Sequence, residues 1–271
     1  MDRRTESATA DPLEYAVAER DSKVLDMVES AVDAGRVMLA FQPVVMAGRD
    51  EPVFYEGLAR IMDTTGRIIP AREFILDVEE TELGRRIDAI SLELGLQALR
   101  ERPSLRLAVN LSARSVEYPL WLAALEQGLA SDPTLAERLI LEITESSAIT
   151  VPRLVSRFID RLQAMGICFA IDDFGSGYTS MRYLKDFCFD ILKIDGEFCH
   201  GVADKPDNQA LVRAIVSIAQ HFDMVTVAEG VEAAQDARAL MEMGVDCLQG
   251  YYLGAPTVRP AWQSCARDIV V

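Results

Sequence analysis

Acidic side chains recur inside segments that otherwise have the apolar, β-branched composition of strands. Glu56 lies in VFYEGLARI, Glu142 in LILEITE, and the pair Asp172 and Asp173 in CFAIDDF. Each carboxylate buried without compensation would cost several kcal/mol, and clustered carboxylates also repel one another. Divalent cations remove both penalties, so the pattern predicts a site for two metal ions about 3.5–4 Å apart, as in two-metal hydrolases.

The candidate site residues share one property: they lie in, or at the end of, a predicted strand. They are Gln42, Glu56, Leu58, Arg60, Asn110, Glu142, Glu145, Asp172, Asp173, Lys193, Asp195, Glu229 and Gln249. The strand period of two places Glu56, Leu58 and Arg60 on one face, and Lys193 and Asp195 on another.

The expected ligands are oxygen atoms. The sequence contains two histidines, His200 and His221, which form no H-x-x-x-H pair. Its five cysteines are scattered and include no C-x-x-C pair, which argues against a zinc–thiolate site and a disulfide framework. Carboxylate and amide oxygens favour Mg²⁺ or Mn²⁺.

Taken singly, each motif also has an ordinary structural interpretation. Glu145 could be a solvated strand end, and DDFGSG could be an Asx-type turn formed by its glycines. Asn110 could satisfy a backbone group, and Lys193 could be a buried lysine paired with an acid. These interpretations do not account for so many acids on separate strands.

Eight predicted strands alternate with helix-length amphipathic stretches, which is typical of a TIM-like (β/α)8 barrel of the α/β class. The strands are predicted at 38–45, 53–61, 106–112, 139–145, 168–174, 191–195, 226–231 and 247–253, and helices at 22–34, 86–100, 153–165, 208–222 and 233–243. Polar residues near the C-terminal strand ends then converge on one mouth. The MAGRDEP linker is too short for a parallel crossover, so the first strand should run antiparallel to the second.

Composition favours one globular domain, with residues 1–21 as a flexible tail and 22–271 as the barrel. No apolar run reaches the roughly 18 residues of a membrane span, and no signal peptide precedes the domain, so a cytoplasmic location and no membrane partner are expected. The net charge of −16 argues against a nucleic-acid polymer as partner. It leaves a small anionic ligand possible, because bound metal ions reverse local electrostatics.

Eight motifs together resemble the EAL-domain family, the bacterial cyclic di-GMP phosphodiesterases, over about residues 25–260. They are FQPVV, YEGLARI, VNLSARS, LEITES, IDDFGSGYTSMRYL, LKID, VAEGVE and QGYYLGAP. The resemblance implies metal-dependent hydrolysis of cyclic di-GMP to linear pGpG, with two Mg²⁺ or Mn²⁺ ions. The name-giving motif departs from the family pattern, because Gly57 stands where alanine is usual.

The resemblance also implies a role for each candidate residue. It assigns one metal to Glu56, Asn110, Glu142 and Asp172, and a second metal to Asp172, Asp173 and Glu229. Lys193 would orient the attacking water, which makes Lys193, Glu229 and Glu56 the catalytic residues. Arg60 would bind a substrate phosphate, Gln42 would position the dinucleotide, and Leu58, Asp195 and Gln249 would line the site. Glu145 would hold the DDFGSGYTS loop in its ligating shape.

Two other functions are compatible with the same motifs. A receptor that binds cyclic di-GMP without cleaving it would keep the fold and lose a ligand or the loop anchor, whereas every expected ligand is present here. A protein adaptor that binds no nucleotide would leave Arg60, Gln42 and AEGVE without a purpose. The resemblance further implies a homodimer. No segment before the barrel has the size of a sensor domain, so control by expression, self-association or a regulatory protein partner is expected.

Overall fold

The computed structural model describes residues 12–176, 184–185, 187–260 and 262, and its centre is a closed barrel of eight strands. These strands are β1 (Val37–Met46), β2 (Pro52–Met62), β4 (Leu107–Asn110), β5 (Leu139–Thr144), β6 (Cys168–Phe174), β7 (Ile191–Ile194), β8 (Val225–Ala228) and β9 (Cys247–Gln249). The order β1-β9-β8-β7-β6-β5-β4-β2 closes through a β1–β2 pairing. The predicted barrel is therefore confirmed.

The first strand runs against its neighbours, as the short linker predicted. β1 pairs antiparallel with β2, with Gln42 opposite Glu56, and antiparallel with β9, with Val44 opposite Gln249. The remaining barrel pairs are parallel. Because the hairpin reverses β1, the N-terminal half of β1 leads towards the barrel mouth, whereas in the other barrel strands the C-terminal half does. Gln42 still lies level with Glu56 on the neighbouring strand.

A ninth strand, β3 (Ile68–Pro70), lies outside the barrel and was not predicted. It pairs antiparallel with the end of β2, with Arg60 opposite Pro70. Three residues that end in proline carry too little periodic signal to distinguish a strand from a loop, and proline is tolerated there because β3 is an edge strand. This strand places the segment after Pro70 beside the mouth of the barrel.

The described helices surround the barrel. They are α1 (Pro12–Asp33), α2 (Ile75–Val78), α3 (Glu82–Glu101), α4 (Pro119–Ser131), α5 (Glu145–Thr150), α6 (Pro152–Gln163), α7 (Gly196–Cys199), α8 (Pro206–His221) and α9 (Ala234–Glu242). α3 begins where the Thr81 side chain accepts a hydrogen bond from Leu83 N, and it buries Leu92, Leu96 and Leu99 at helical spacing against the barrel. No helix in the described part of the chain is long and apolar enough to cross a membrane.

The start of the first helix and the end of β5 differ from the sequence prediction. The first helix begins at Pro12, so residues 12–21 are helical and do not belong to a tail, while residues 1–11 lie outside the described part. β5 ends at Thr144, whose side chain caps the next helix by accepting a hydrogen bond from Ser147 N. Glu145 is therefore the first residue of α5 and does not end a strand.

An apolar layer fills the barrel interior below the site. It takes one buried residue from each barrel strand: Val44, Phe54, Ala108, Ile140, Ala170, Ile191, Val227 and Cys247. Side chains two positions apart on a strand share a face, so the next interior layer comes two residues closer to the mouth. That step leads to Gln42, Glu56, Asn110, Glu142, Asp172, Lys193, Glu229 and Gln249. The barrel geometry thus brings eight of the predicted site residues to one level.

Candidate metal centre

Lys193 lies at the centre of this polar layer and is fully buried. Its Nζ is 2.8 Å from Glu229 Oε1, 2.9 Å from Asp172 Oδ1, 3.1 Å from Glu142 Oε2 and 3.5 Å from Glu56 Oε2. Burial alone would lower the pKa of Lys193, but these four carboxylates raise it well above its usual value. The lysine is therefore a permanent cation among acids from four strands.

Glu56 is oriented by neighbouring amides. Asn110 Nδ2 donates to Glu56 Oε1 at 3.0 Å, and Gln249 Nε2 donates to Glu56 Oε2 at 2.6 Å. Gln249 also lies 3.3 Å from Gln42 Oε1, so the three amide side chains form one network around the carboxylate. Burial alone would raise the pKa of Glu56, but the charge of Lys193 and these hydrogen bonds lower it below its ordinary value.

Asp172 and Asp173 face the same site although they are consecutive strand residues. Neighbours on a strand normally point to opposite faces, but the pairing of β6 with β7 shifts register between Ile171 and Phe174. Asp173 adopts a left-handed backbone with φ of 53°, which aspartate tolerates, and its N–H donates to Asp172 Oδ1 at 3.0 Å. This irregularity delivers two adjacent carboxylates to one centre.

Glu145 contacts the segment that follows the two aspartates. Its Oε2 accepts a hydrogen bond of 3.1 Å from Gly175 N, and the side chain is buried. Gly175 has φ of 100°, and a Cβ there would lie 2.7 Å from the Phe198 ring, so glycine is required. The contact predicted for the loop anchor is present, while residues 177–180 of the DDFGSGYTS segment lie outside the described part.

Five carboxylates form two groups with the spacing of metal sites. Glu56, Glu142 and Asp172 form one group and Asp172, Asp173 and Glu229 the other, and within each group one oxygen per residue lies within 4.8 Å of the others. Glu142 Oε1 is buried and accepts no hydrogen bond from any described residue. An unpartnered buried carboxylate oxygen is costly unless a cation binds it, so these residues fit an oxygen-ligated divalent ion.

Three of these acids have raised pKa values, because burial and repulsion between neighbouring carboxylates disfavour their charged forms. Burial raises the pKa of Glu142 well above its ordinary value, and the charge of Glu56 adds to the effect. Burial and the charge of Asp172 raise the pKa of Glu229 to about 8, despite the opposing effect of Lys193. Burial and the same aspartate raise the pKa of Asp173 to about 6. Fully ionised, five carboxylates around one ammonium leave four negative charges, which two divalent cations would neutralise.

The remaining predicted residues lie above the polar layer. Leu58 and Arg60 continue the Glu56 face of β2 towards the mouth, and both are partly exposed. Arg60 Nη1 donates to Ala59 O at 2.8 Å. Asp195 follows β7, and its Oδ1 accepts a hydrogen bond of 2.6 Å from Glu197 N, which caps α7. Asp195 thus has a structural role as a helix cap in addition to the predicted one, and its role in lining the site remains a prediction.

Asp88 supports the loop that follows Asn110 and is not among the site residues predicted from the sequence. It lies on α3, and its Oδ2 accepts hydrogen bonds from Ser112 N at 3.1 Å and Ser115 Oγ at 2.6 Å, in the loop that follows Asn110. A single acid on an amphipathic helix usually belongs to a solvated face, so no sequence pattern distinguishes Asp88 from other helix acids. Burial raises the pKa of Asp88 to about 6.

We expect Asp88→Asn to stabilise the protein more at high pH than at low pH. The folded pKa of about 6 exceeds the ordinary 3.8, so ionisation of Asp88 lowers stability as the pH rises through this range. Asparagine can accept the same hydrogen bonds without a charge. Its advantage in free energy of unfolding should grow by about 1 kcal/mol between pH 5 and pH 8, measured by urea denaturation.

Asp88→Ala is the matched control, because it removes both acceptor interactions. It should destabilise the protein by about 1–3 kcal/mol at both pH values. A constant difference between Asp88→Asn and the wild type from pH 5 to pH 8 would show that Asp88 does not titrate in this range.

Comparison with known families identifies the fold. The model of the EAL domain matches residues 25–256, which include every strand of the barrel and every residue of the polar layer. The chain belongs to the EAL domain family. This family comprises cyclic di-GMP phosphodiesterases, and the resemblance drawn from the eight motifs is confirmed.

Two curated relatives illustrate the similarity. This EAL domain is 33% identical over 248 residues to cyclic di-GMP phosphodiesterase PdeF of Escherichia coli, covering 89% of this chain and 33% of PdeF. It is 31% identical over 246 residues to the bifunctional diguanylate cyclase/cyclic di-GMP phosphodiesterase MucR of Pseudomonas aeruginosa, covering 89% of this chain and 36% of MucR. The chain spans about a third of the length of these relatives.

Solved structures with the same architecture contain the nucleotide. The PaMucR phosphodiesterase in complex with c-di-GMP superposes with a TM-score of 0.81 at 31% identity, covering 89% of this chain and 99% of that one. The FimX EAL domain from Pseudomonas aeruginosa bound to c-di-GMP has a TM-score of 0.79 at 26% identity, covering 87% and 97% of the two chains. These structural relatives of the EAL domain bind c-di-GMP.

Gly57, the departure in the name-giving motif, lies in a tightly packed position. A Cβ at this residue would lie 3.2 Å from Leu39 Cδ1 and 3.3 Å from Ala108 O. The neighbouring strands have closed around the missing methyl group, so an alanine here would require Leu39 to shift. The packing around Glu56 is complete without the usual alanine.

Proposed function

We propose that this EAL domain hydrolyses cyclic di-GMP to linear pGpG with two bound Mg²⁺ or Mn²⁺ ions. The observation that carries the proposal is the pair of acidic groups, which share Asp172 and leave Glu142 Oε1 without a partner among the described residues. The net negative charge of the ionised carboxylates and Lys193 would be balanced by two divalent cations. The identity of the substrate is inferred from relatives that are named as cyclic di-GMP phosphodiesterases.

We assign the ligands according to the two acidic groups. Glu56, Asn110, Glu142 and Asp172 would hold one ion, and Asp172, Asp173 and Glu229 the other, all through oxygen atoms. Asn110 already donates to Glu56, so its carbonyl oxygen remains for a metal ion. When bound, such ions lower the pKa of a water molecule and stabilise negative charge on phosphoryl oxygens.

The protein groups around the ions would position the reactants for a single in-line displacement. Lys193 Nζ lies within hydrogen-bonding distance of Asp172 and Glu229, so its N–H groups face the point where the two acidic groups meet. There it would orient the attacking water and stabilise its anionic form. Arg60 would bind the phosphate under attack, and Gln42 would position the dinucleotide.

A turnover assay tests the proposal directly. Purified protein is incubated with cyclic di-GMP and Mg²⁺ or Mn²⁺, and the products are separated by chromatography. We expect pGpG to accumulate, to stop when EDTA removes the metal, and to resume when excess Mn²⁺ is restored. Nucleotide binding without pGpG would contradict hydrolysis and assign the domain to the cyclic di-GMP receptors.

A further inference from the structure

A second arginine, Arg72, lies near Arg60 at the mouth of the barrel. Arg60 is near the end of β2, where it pairs with Pro70 of β3, and Arg72 follows two residues after Pro70. The turn Ala71–Glu73 that carries Arg72 is fixed by a hydrogen bond of 2.9 Å from Phe74 N to Ala71 O and by the buried Phe74 ring. The fold therefore holds both arginines at the same edge of the site.

Among the described residues, neither arginine forms an ion pair with an acidic side chain. Arg60 donates a hydrogen bond to the backbone oxygen of Ala59, and Arg72 makes no ion pair or hydrogen bond within this part of the chain. The acid next to it in sequence, Glu73, pairs instead with Arg67 at 3.2 Å. In a chain with a net charge of −16, carboxylates are abundant, yet no described carboxylate forms an ion pair with either arginine.

The two positive charges are close enough to act on each other. Burial lowers the pKa of Arg60, and the charge of Arg72 lowers it further, while Glu56 and Tyr251 oppose the effect. Repulsion between the two like charges lowers the stability of the folded state, and a bound anion offsets this repulsion. Paired guanidiniums are also suited to phosphates, because each presents a planar fork of donors.

We propose that Arg72 is a specificity-determining residue that binds the second phosphodiester of the cyclic dinucleotide, the one that is not cleaved. This inference rests on the proposed function, in which Arg60 binds the phosphate under attack. A cyclic dinucleotide carries two phosphodiesters, so two arginines at one rim select it over substrates that carry one. Because Arg72 contacts a group remote from the reaction, it binds the ground state and the transition state equally.

The experiment compares Arg72→Ala and Arg72→Lys with the wild type on two substrates. With cyclic di-GMP, we expect Arg72→Ala to raise KM about tenfold and leave kcat within about twofold, with Arg72→Lys intermediate. With bis(p-nitrophenyl) phosphate, which has one phosphodiester, kcat/KM should not change. Arg49→Ala is the matched control, because Arg49 is exposed in the β1–β2 hairpin at the opposite end of the barrel.

Each outcome separates this inference from the proposed function. An unchanged KM for cyclic di-GMP in Arg72→Ala, an equal loss on the single phosphodiester, or an equal effect of Arg49→Ala would overturn the role of Arg72 while hydrolysis stands. If the wild type binds cyclic di-GMP without cleaving it, hydrolysis fails, and the same tenfold change is expected in Kd. If the wild type neither binds nor cleaves it, both proposals are wrong.

Discussion

Lys193→Met is expected to lower the free energy of unfolding by about 3–5 kcal/mol in metal-free buffer, because it leaves buried carboxylates without their cation. The ammonium contacts Glu56, Glu142, Asp172 and Glu229 within 3.5 Å. Methionine has a similar length, so the loss reflects charge more than cavity formation. The measurement is urea denaturation after treatment with EDTA.

Divalent cations should reverse much of this loss. If the acids bind metal ions, saturating Mn²⁺ should stabilise Lys193→Met by more than it stabilises the wild type, because the variant has more uncompensated charge. Turnover of cyclic di-GMP should nevertheless remain at least about a hundredfold below the wild type, because the donor to the attacking water is absent. Lys205→Met, which removes an exposed lysine bonded to the backbone of His200, is the control.

Two outcomes would contradict the expected effects of Lys193→Met. A metal-free Lys193→Met protein that unfolds at the same urea concentration as the wild type would show that the four carboxylates do not depend on the ammonium. Equal stabilisation of both proteins by Mn²⁺ would argue that the cation binds elsewhere.

Glu145→Ala is expected to reduce metal affinity and turnover by about 10–100-fold, because it removes the acceptor that holds Gly175 N after the two aspartates. Asp172 and Asp173 depend on a register shift and a left-handed backbone, which a freed segment would not maintain. Titration calorimetry with Mn²⁺ and the pGpG assay give the two quantities.

The variant Glu145→Gln distinguishes the effect of losing the hydrogen bond from the effect of losing the negative charge. Its amide oxygen can still accept from Gly175 N, so we expect most of the metal affinity and turnover to return. If Glu145→Ala lowers turnover only in proportion to its loss of folded protein, the residue has a purely structural role.

The barrel and its reversed first strand followed from local sequence patterns. Strand-length apolar segments alternate with amphipathic helices, and a seven-residue linker permits only a hairpin between β1 and β2. The polar residues of the site were visible for a related reason: Glu142 and Asp172 interrupt otherwise apolar strands, where burial is costly. The period of two then places them on the interior face with the apolar layer beneath.

Other features depend on contacts between distant segments and carry no local signal. β3 exists because the end of β2 extends beyond the barrel and offers it a free edge. The role of Asp88 requires the loop after β4 to lie against α3, and the acid itself resembles many exposed helix residues. Likewise, the sequence places Gln249 at the site, but its bond to Glu56 appears only when the barrel closes.

Titration calorimetry of the wild type with Mn²⁺, with and without cyclic di-GMP, tests the metal centre most directly. We expect two ions per chain, with binding weakened by Glu142→Gln, which replaces the carboxylate whose Oε1 has no partner among the described residues. The absence of metal binding under both conditions, or binding that Glu142→Gln leaves unchanged, would contradict it.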